Sequence, residues 1–163
     1  MRLAHGYGWS DVVSAAAALS DRIAPFELPP LSVQDVFSFL ALRETTPSEP
    51  LQALADACVK QLDPFRAPPS DAEFARRRRA TLTPRQDAML LRWGYPYVFD
   101  TWFFHLTLTR RLSGEEKQVY MPAAEAWFAA AIATPRTVGD ICLFVQASPG
   151  TPFVIRERLT LRG

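Results

Sequence analysis

The sequence predicts an α+β domain with helices packed on a mostly antiparallel sheet. Three observations predict it. Helical periodicities and β-rich segments follow one another in the order α, β, α, α, α, β, α, β, β, without the regular βα alternation of a parallel sheet. Three capping boxes mark helix starts. The last two apolar runs, "ICLFVQ" and "FVIRERLTL", are joined by the short turn "ASPGTP", the pattern of a hairpin.

Each element has its own signal. Ser10 reads as an N-cap, Val12, Ala16, Leu19 and Ile23 follow at helical spacing, and Pro25 stops the run. "LPPLSVQDVFSFLALRE" looks extended, with Val36 to Leu42 as a buried or half-buried strand. A second helix starts at Ser48, with Pro50 in its first turn. Its apolar face is Leu51, Leu54, Ala55, Cys58, Val59 and Leu62, which places Cys58 in the core. Ser70 with Glu73, and Thr83 with Gln86, open two short helices; Pro84 sits at N1 of the second and Gly94 ends it. "YVFDTWFFHLTLT" is aromatic and β-branched and reads as a strand. Ser113 with Glu116 opens a further helix carrying Val119, Tyr120, Ala124 and Trp127, which Pro122 should kink or divide. Trp102 and Trp127 are read as core.

Composition narrows the function classes. The chain has 163 residues, a net charge of +1 and 48% hydrophobic residues, which fits one domain over residues 1–163 with a real core. That balance gives no reason to expect nucleic acid or an anionic membrane as partner. No apolar run approaches the roughly 18 residues of a membrane span. Cys58 and Cys142 are expected as buried free thiols in a reducing cytoplasm. Two histidines and two cysteines at scattered positions have no metal-ligand spacing, so neither metal nor cofactor is expected.

The chemistry concentrates in "FHLTLT". On a strand, Phe103, His105, Thr107 and Thr109 share one face, and Phe104, Leu106 and Leu108 take the other. Residues i and i+2 stand roughly 7 Å apart. Histidine titrates near neutrality and can pass a proton to or from a phosphoester oxygen. A hydroxyl two residues on can bond a non-bridging oxygen. Taken bare, a His-x-Thr triplet is common by chance, and a packed or surface strand histidine stays open as the alternative.

The surrounding strings are more specific. "LDPFRAP", "RRR", "LTPRQ", "RWGYPYVFD", "FHLTLT" and "ICLFVQ...PGTPF" resemble, in the same order, the phosphonate-metabolism branch of the two-histidine phosphoesterase superfamily. The resemblance runs from about residue 25 to 160. It implies a bilobal α+β fold with mostly antiparallel sheets, each lobe supplying one His-x-Thr/Ser strand to a cleft. One histidine would activate the nucleophile and the other would protonate the leaving oxygen, without a metal, on a cyclic or diester phosphate. His105 and Thr107 match the second motif. The first lies, in the family, in a string like "YGFHATLKPP" directly before a segment resembling "MRLA"; His5, followed by Tyr7, is no substitute. The resemblance therefore implies a chain lacking its first strands, either with Met1 internal to a longer protein or through an evolved truncation, with reduced activity and an open sheet edge that favours self-association. Phe103 stands where the family commonly has arginine, and Arg110 where it commonly has glycine.

Further binding candidates are Thr109, Tyr95, Tyr97 and Arg110, around a phosphorylated small molecule or nucleotide-like ligand. Tyr95 and Tyr97 would stack on a base or sugar; packing under the sheet is the alternative. Arg76 to Arg79 either grip a phosphate or form a solvated helix end. A non-catalytic phosphate- or RNA-binding module and an inactive fragment remain as competing functions.

Overall fold

The computed structural model describes residues 2–163. It is a mixed α+β structure of five α-helices and seven strands among the described residues, and every strand pairing is antiparallel. The chain divides into two compact units.

One unit comprises Met1–Pro25, Gln52–Trp102 and Gly139–Gly163. Helix α1 (Trp9–Ser20) starts one residue before the predicted cap, because the Asp11 carboxylate accepts the Gly8 N–H at 2.7 Å. It buries Val12, Ala16 and Leu19 and packs against a hairpin of β6 (Asp140–Val145) and β7 (Val154–Thr160). This is the hairpin expected from "ASPGTP", with a bulge between Leu143 and Phe144. Helix α2 (Glu49–Leu62) begins in the other unit and continues in this one. Cys58 is half-buried rather than fully in the core, and burial pushes its thiol above the ordinary value. The predicted capping boxes form at α3 (Asp71–Arg77) and α4 (Pro84–Trp93). Gly94 ends α4 in the left-handed region at φ 72°.

The other unit comprises Phe26–Leu51 and Phe103–Val138. "LSVQDVFSFLALRE" is not one extended strand. It is a hairpin of β2 (Leu31–Val36) and β3 (Phe39–Glu44), turned at Phe37 and Ser38, which both have positive φ. The Asp35 carboxylate accepts the Ser38 N–H at 3.0 Å and closes the turn. Two short strands unmarked in the sequence, β1 (Phe26–Glu27) and β5 (Thr137–Val138), pair with each other.

The long strand read from "YVFDTWFFHLTLT" shrinks to β4 (Leu106–Thr107), at the edge of the order β2-β3-β4. Both ends have a local cause. Phe99–Thr101 forms a 3₁₀ turn, in which the Thr101 hydroxyl donates to carbonyl oxygens of Pro96 and Val98 and accepts the Val98 N–H. After Thr107, the N–H groups of Leu108 and Thr109 both donate to the Leu40 carbonyl, at 2.8 and 3.3 Å, which ends the regular ladder.

Helix α5 (Gly114–Ile132) runs through Pro122 as a single element and packs against β2. Its inward stripe is Met121, Ala124, Phe128 and Ile132, set on Val33, Leu40, Leu42 and Leu112. Of the predicted set only Ala124 faces inward: Val119, Tyr120 and Trp127 are exposed, and Trp127 is 81% accessible rather than core. Leu106 is also exposed, at 47%, where the strand alternation predicted a core residue, because only two residues of its strand are paired. No helix among the described residues is long and apolar enough to cross a membrane.

Candidate functional site

Strand β3 alternates two sets of side chains. Leu40 and Leu42 face the α5 core, so Phe39, Ala41 and Arg43 face the opposite side of the sheet. Strand β4 pairs with β3 through Ala41↔Thr107 and Leu42↔Leu106. Thr107 therefore joins the Ala41 face.

Aromatic contacts agree with this placement. The His105 ring centroid lies 5.9 Å from that of Phe39 and 5.0 Å from that of Phe103. The Arg43 guanidinium lies over the Phe103 ring, 4.6 Å from its centroid. His105 and Thr107 thus share one face, as the alternation predicts, although most of the strand around them is irregular. His105 Nδ1–H donates to the Phe103 carbonyl at 3.2 Å. A carbonyl can only accept, so this bond leaves Nε2 as the nitrogen able to exchange a proton with a ligand. Both His105 and Thr107 are exposed.

Arg43 was missed by sequence reasoning. Its Nε is buried and has no hydrogen-bond partner among the described residues, and the Glu44 Oε2 next to it in sequence shares that condition. A buried guanidinium N–H without an acceptor is unusual. The signal was present in "FLALRE", whose alternation assigns Arg43 to the Phe39 face once the turn is put at Phe37–Ser38.

The remaining candidates have other engagements. The Thr109 hydroxyl accepts the Leu40 N–H at 2.9 Å and donates to the Arg110 carbonyl at 2.8 Å, so it joins the strands. Arg110 bonds Glu116 at 2.6 Å and the Arg111 carbonyl at 2.7 Å. That pairing, with the Ser113 N–H, holds the Glu116 carboxyl below its ordinary range. Tyr95 and Tyr97 belong to the other unit, where their rings meet edge to face at 5.7 Å and the Arg77 guanidinium lies 4.6 Å from the Tyr95 centroid.

A family profile described as a protein of unknown function, DUF1045, matches residues 1–154. The chain belongs to the DUF1045 family. Two curated relatives of this DUF1045 chain carry the name ribose 1,5-bisphosphate phosphokinase PhnN. The relative from Janthinobacterium sp. (strain Marseille) is 36% identical over 99% of this chain and 37% of its own length. The relative from Laribacter hongkongensis (strain HLHK9) is 32% identical over 93% of this chain and 34% of its own length. The DUF1045 chain thus spans about a third of the curated relatives it matches. No solved structure matches it.

Proposed function

We propose that this chain is a phosphoester-recognising domain of two-histidine phosphoesterase type, tied to phosphonate metabolism, whose site is His105, Thr107 and Arg43. The observation that carries the reading is the face shared by these three residues, with Arg43 and His105 both against the Phe103 ring and the Arg43 Nε unpartnered among the described residues. Support for the pathway comes from the resemblance of the strings around "FHLTLT" and from the PhnN name of the two relatives. Their names also contain a phosphorylated sugar, which makes that the ligand class to try first. The phosphokinase part of the name belongs to proteins about three times as long. This chain has no G-x-x-x-x-G-K-S/T phosphate loop to support extending it.

In this reading Arg43 and the Thr107 hydroxyl hold non-bridging oxygens of a cyclic or diester phosphate. His105 Nε2 exchanges a proton with the attacking or leaving oxygen. A positioned acid or base contributes about 10² to 10⁴ in rate. One histidine supplies one of the two proton transfers, so turnover by this chain is expected to be slow and binding to exceed catalysis.

The test uses a 2′,3′-cyclic nucleotide and a cyclic sugar phosphate with the wild-type chain, His105→Ala and Arg43→Ala. His105→Ala should abolish turnover while binding persists. Arg43→Ala should weaken binding about 10-fold or more, the loss expected for a charge-assisted hydrogen bond. Equal turnover by wild type and His105→Ala would remove the histidine from the mechanism. Binding without turnover in wild type would make this a recognition module.

A further inference from the structure

A second cluster of cations lies in the unit formed by the N- and C-terminal segments and the α2–α4 region. There, α3, the end of α4 and the segment around Arg66 enclose a cavity of about 250 Å³. It is lined by four arginines, Arg2, Arg66, Arg76 and Arg77, and by one acidic residue, Glu73. Glu73 is already committed. It accepts from Arg2 at 3.1 Å and from the Ser70 N–H at 2.9 Å, and the Ser70 bonds, backbone first, keep its carboxyl below the ordinary range. Arg66 is held by Asp63 through Nε and Nη2 at 2.9 and 2.8 Å. Arg76 and Arg77 have no carboxylate partner among the described residues.

The four arginines in "ARRRRAT" therefore have different roles. Arg78 is tied by two bonds to Asp87, at 2.8 and 3.1 Å, and fastens α3 to α4. Arg79 is exposed and does not line this cavity. Arg77 is oriented by the Tyr95 ring beneath it at 4.6 Å, and lines the cavity with Arg76. A purely solvated helix end would not need an arginine stacked on an aromatic face at a cavity wall. Gly94 closes the wall: a Cβ there would stand 2.8 Å from Arg66 Nη1 and 3.0 Å from Pro69. Its left-handed φ also places Tyr95, the next residue, beside the cavity.

We infer that this cavity is an anion site for a small phosphate monoester, with Arg76 and Arg77 as its open ligands and Tyr95 as the platform that aims Arg77. Guanidinium groups pair with phosphate through paired N–H donors. The volume falls below the roughly 300–1,000 Å³ usual for drug-sized ligands, which selects a compact ester over a nucleotide. None of the lining residues belongs to the unit that carries His105.

Calorimetric titration of the whole chain at low salt with glycerol 3-phosphate and with inorganic phosphate tests this. Wild type, His105→Ala and Arg79→Ala should bind alike, and Arg77→Ala should bind about 10-fold more weakly or worse. Circular dichroism melts establish that each variant folds. Should Arg77→Ala fail to fold, Arg76→Ala carries the same expectation. No binding of either probe, equal weakening by Arg77→Ala and Arg79→Ala, or a loss confined to His105→Ala would each overturn the assignment. The last outcome would place the anion at the His105 face instead, so the two sites fail separately.

Discussion

At the scale of single residues, the site turns on which polar groups are already engaged. Thr109 and Arg110 lie next to His105 and Thr107 in sequence, yet their polar atoms are spent on Leu40, Arg111 and Glu116. Arg43 is distant in sequence and has a free buried N–H. Spacing along the chain could put His105 and Thr107 on one face because the i, i+2 relation needs only an extended backbone. It could not identify Arg43, whose relation to them exists only through the β3–β4 register. Asp35 gives a prediction at this scale. The Lys117 ammonium bonds its carboxylate at 2.7 Å and, with the Ser38 N–H, holds its pKa below the ordinary aspartate value. A carboxyl depressed in the folded state adds stability above its unfolded pKa, and that stability fades as pH falls through the folded value. Lys117→Ala should therefore raise the Asp35 midpoint in an NMR carboxyl titration and shrink the difference in stability between neutral and acid solution. An unchanged midpoint would show the pair to be open in solution.

At the scale of elements, helix starts were legible and strand limits were not. Ser70, Thr83 and Ser113 each cap as the sequence predicts, because a capping box is a local exchange of two hydrogen bonds. The β2–β3 turn had no such signature: Phe37 and Ser38 take positive φ without a glycine or asparagine to mark it. Tertiary pairing imposes that backbone at a cost, since a left-handed L-residue is roughly 1–2 kcal/mol unfavourable. Ser38, at φ 78°, contributes its backbone N–H to Asp35, which a glycine also has. Ser38→Gly should accordingly stabilise the chain by up to about 1 kcal/mol in urea unfolding. Destabilisation would mean that the hydroxyl, not the backbone, holds the turn. The α5 face was misread for a related reason. Apolar residues surround that helix, so periodicity alone could not choose between the Met121–Phe128 stripe and the one through Tyr120 and Trp127.

At the scale of the molecule, the α+β class and the antiparallel pairing were readable from the sequence, whereas which segments make up each of the two units was not. Contacts more than a hundred residues apart leave no local trace. The β6–β7 hairpin pairs with no other named strand, and Phe144, Val154 and Ile155 on it are 54%, 63% and 44% exposed. An open edge with apolar side chains favours pairing with a second copy. Sedimentation velocity should show concentration-dependent association that Val154→Lys reduces; a monomer at every concentration would argue against it. The interleaving of the units bears on how the protein is made. Helix α1 has its apolar face ready early, but the hairpin it packs on begins about 120 residues later. At about 5–20 residues per second of translation, Val12, Ala16 and Leu19 wait roughly 6–24 s for their sheet. Neither unit can close before its last segment, Gly139–Gly163 in one and Phe103–Val138 in the other, has been made, so the apolar face of α1 stays without its sheet over that interval.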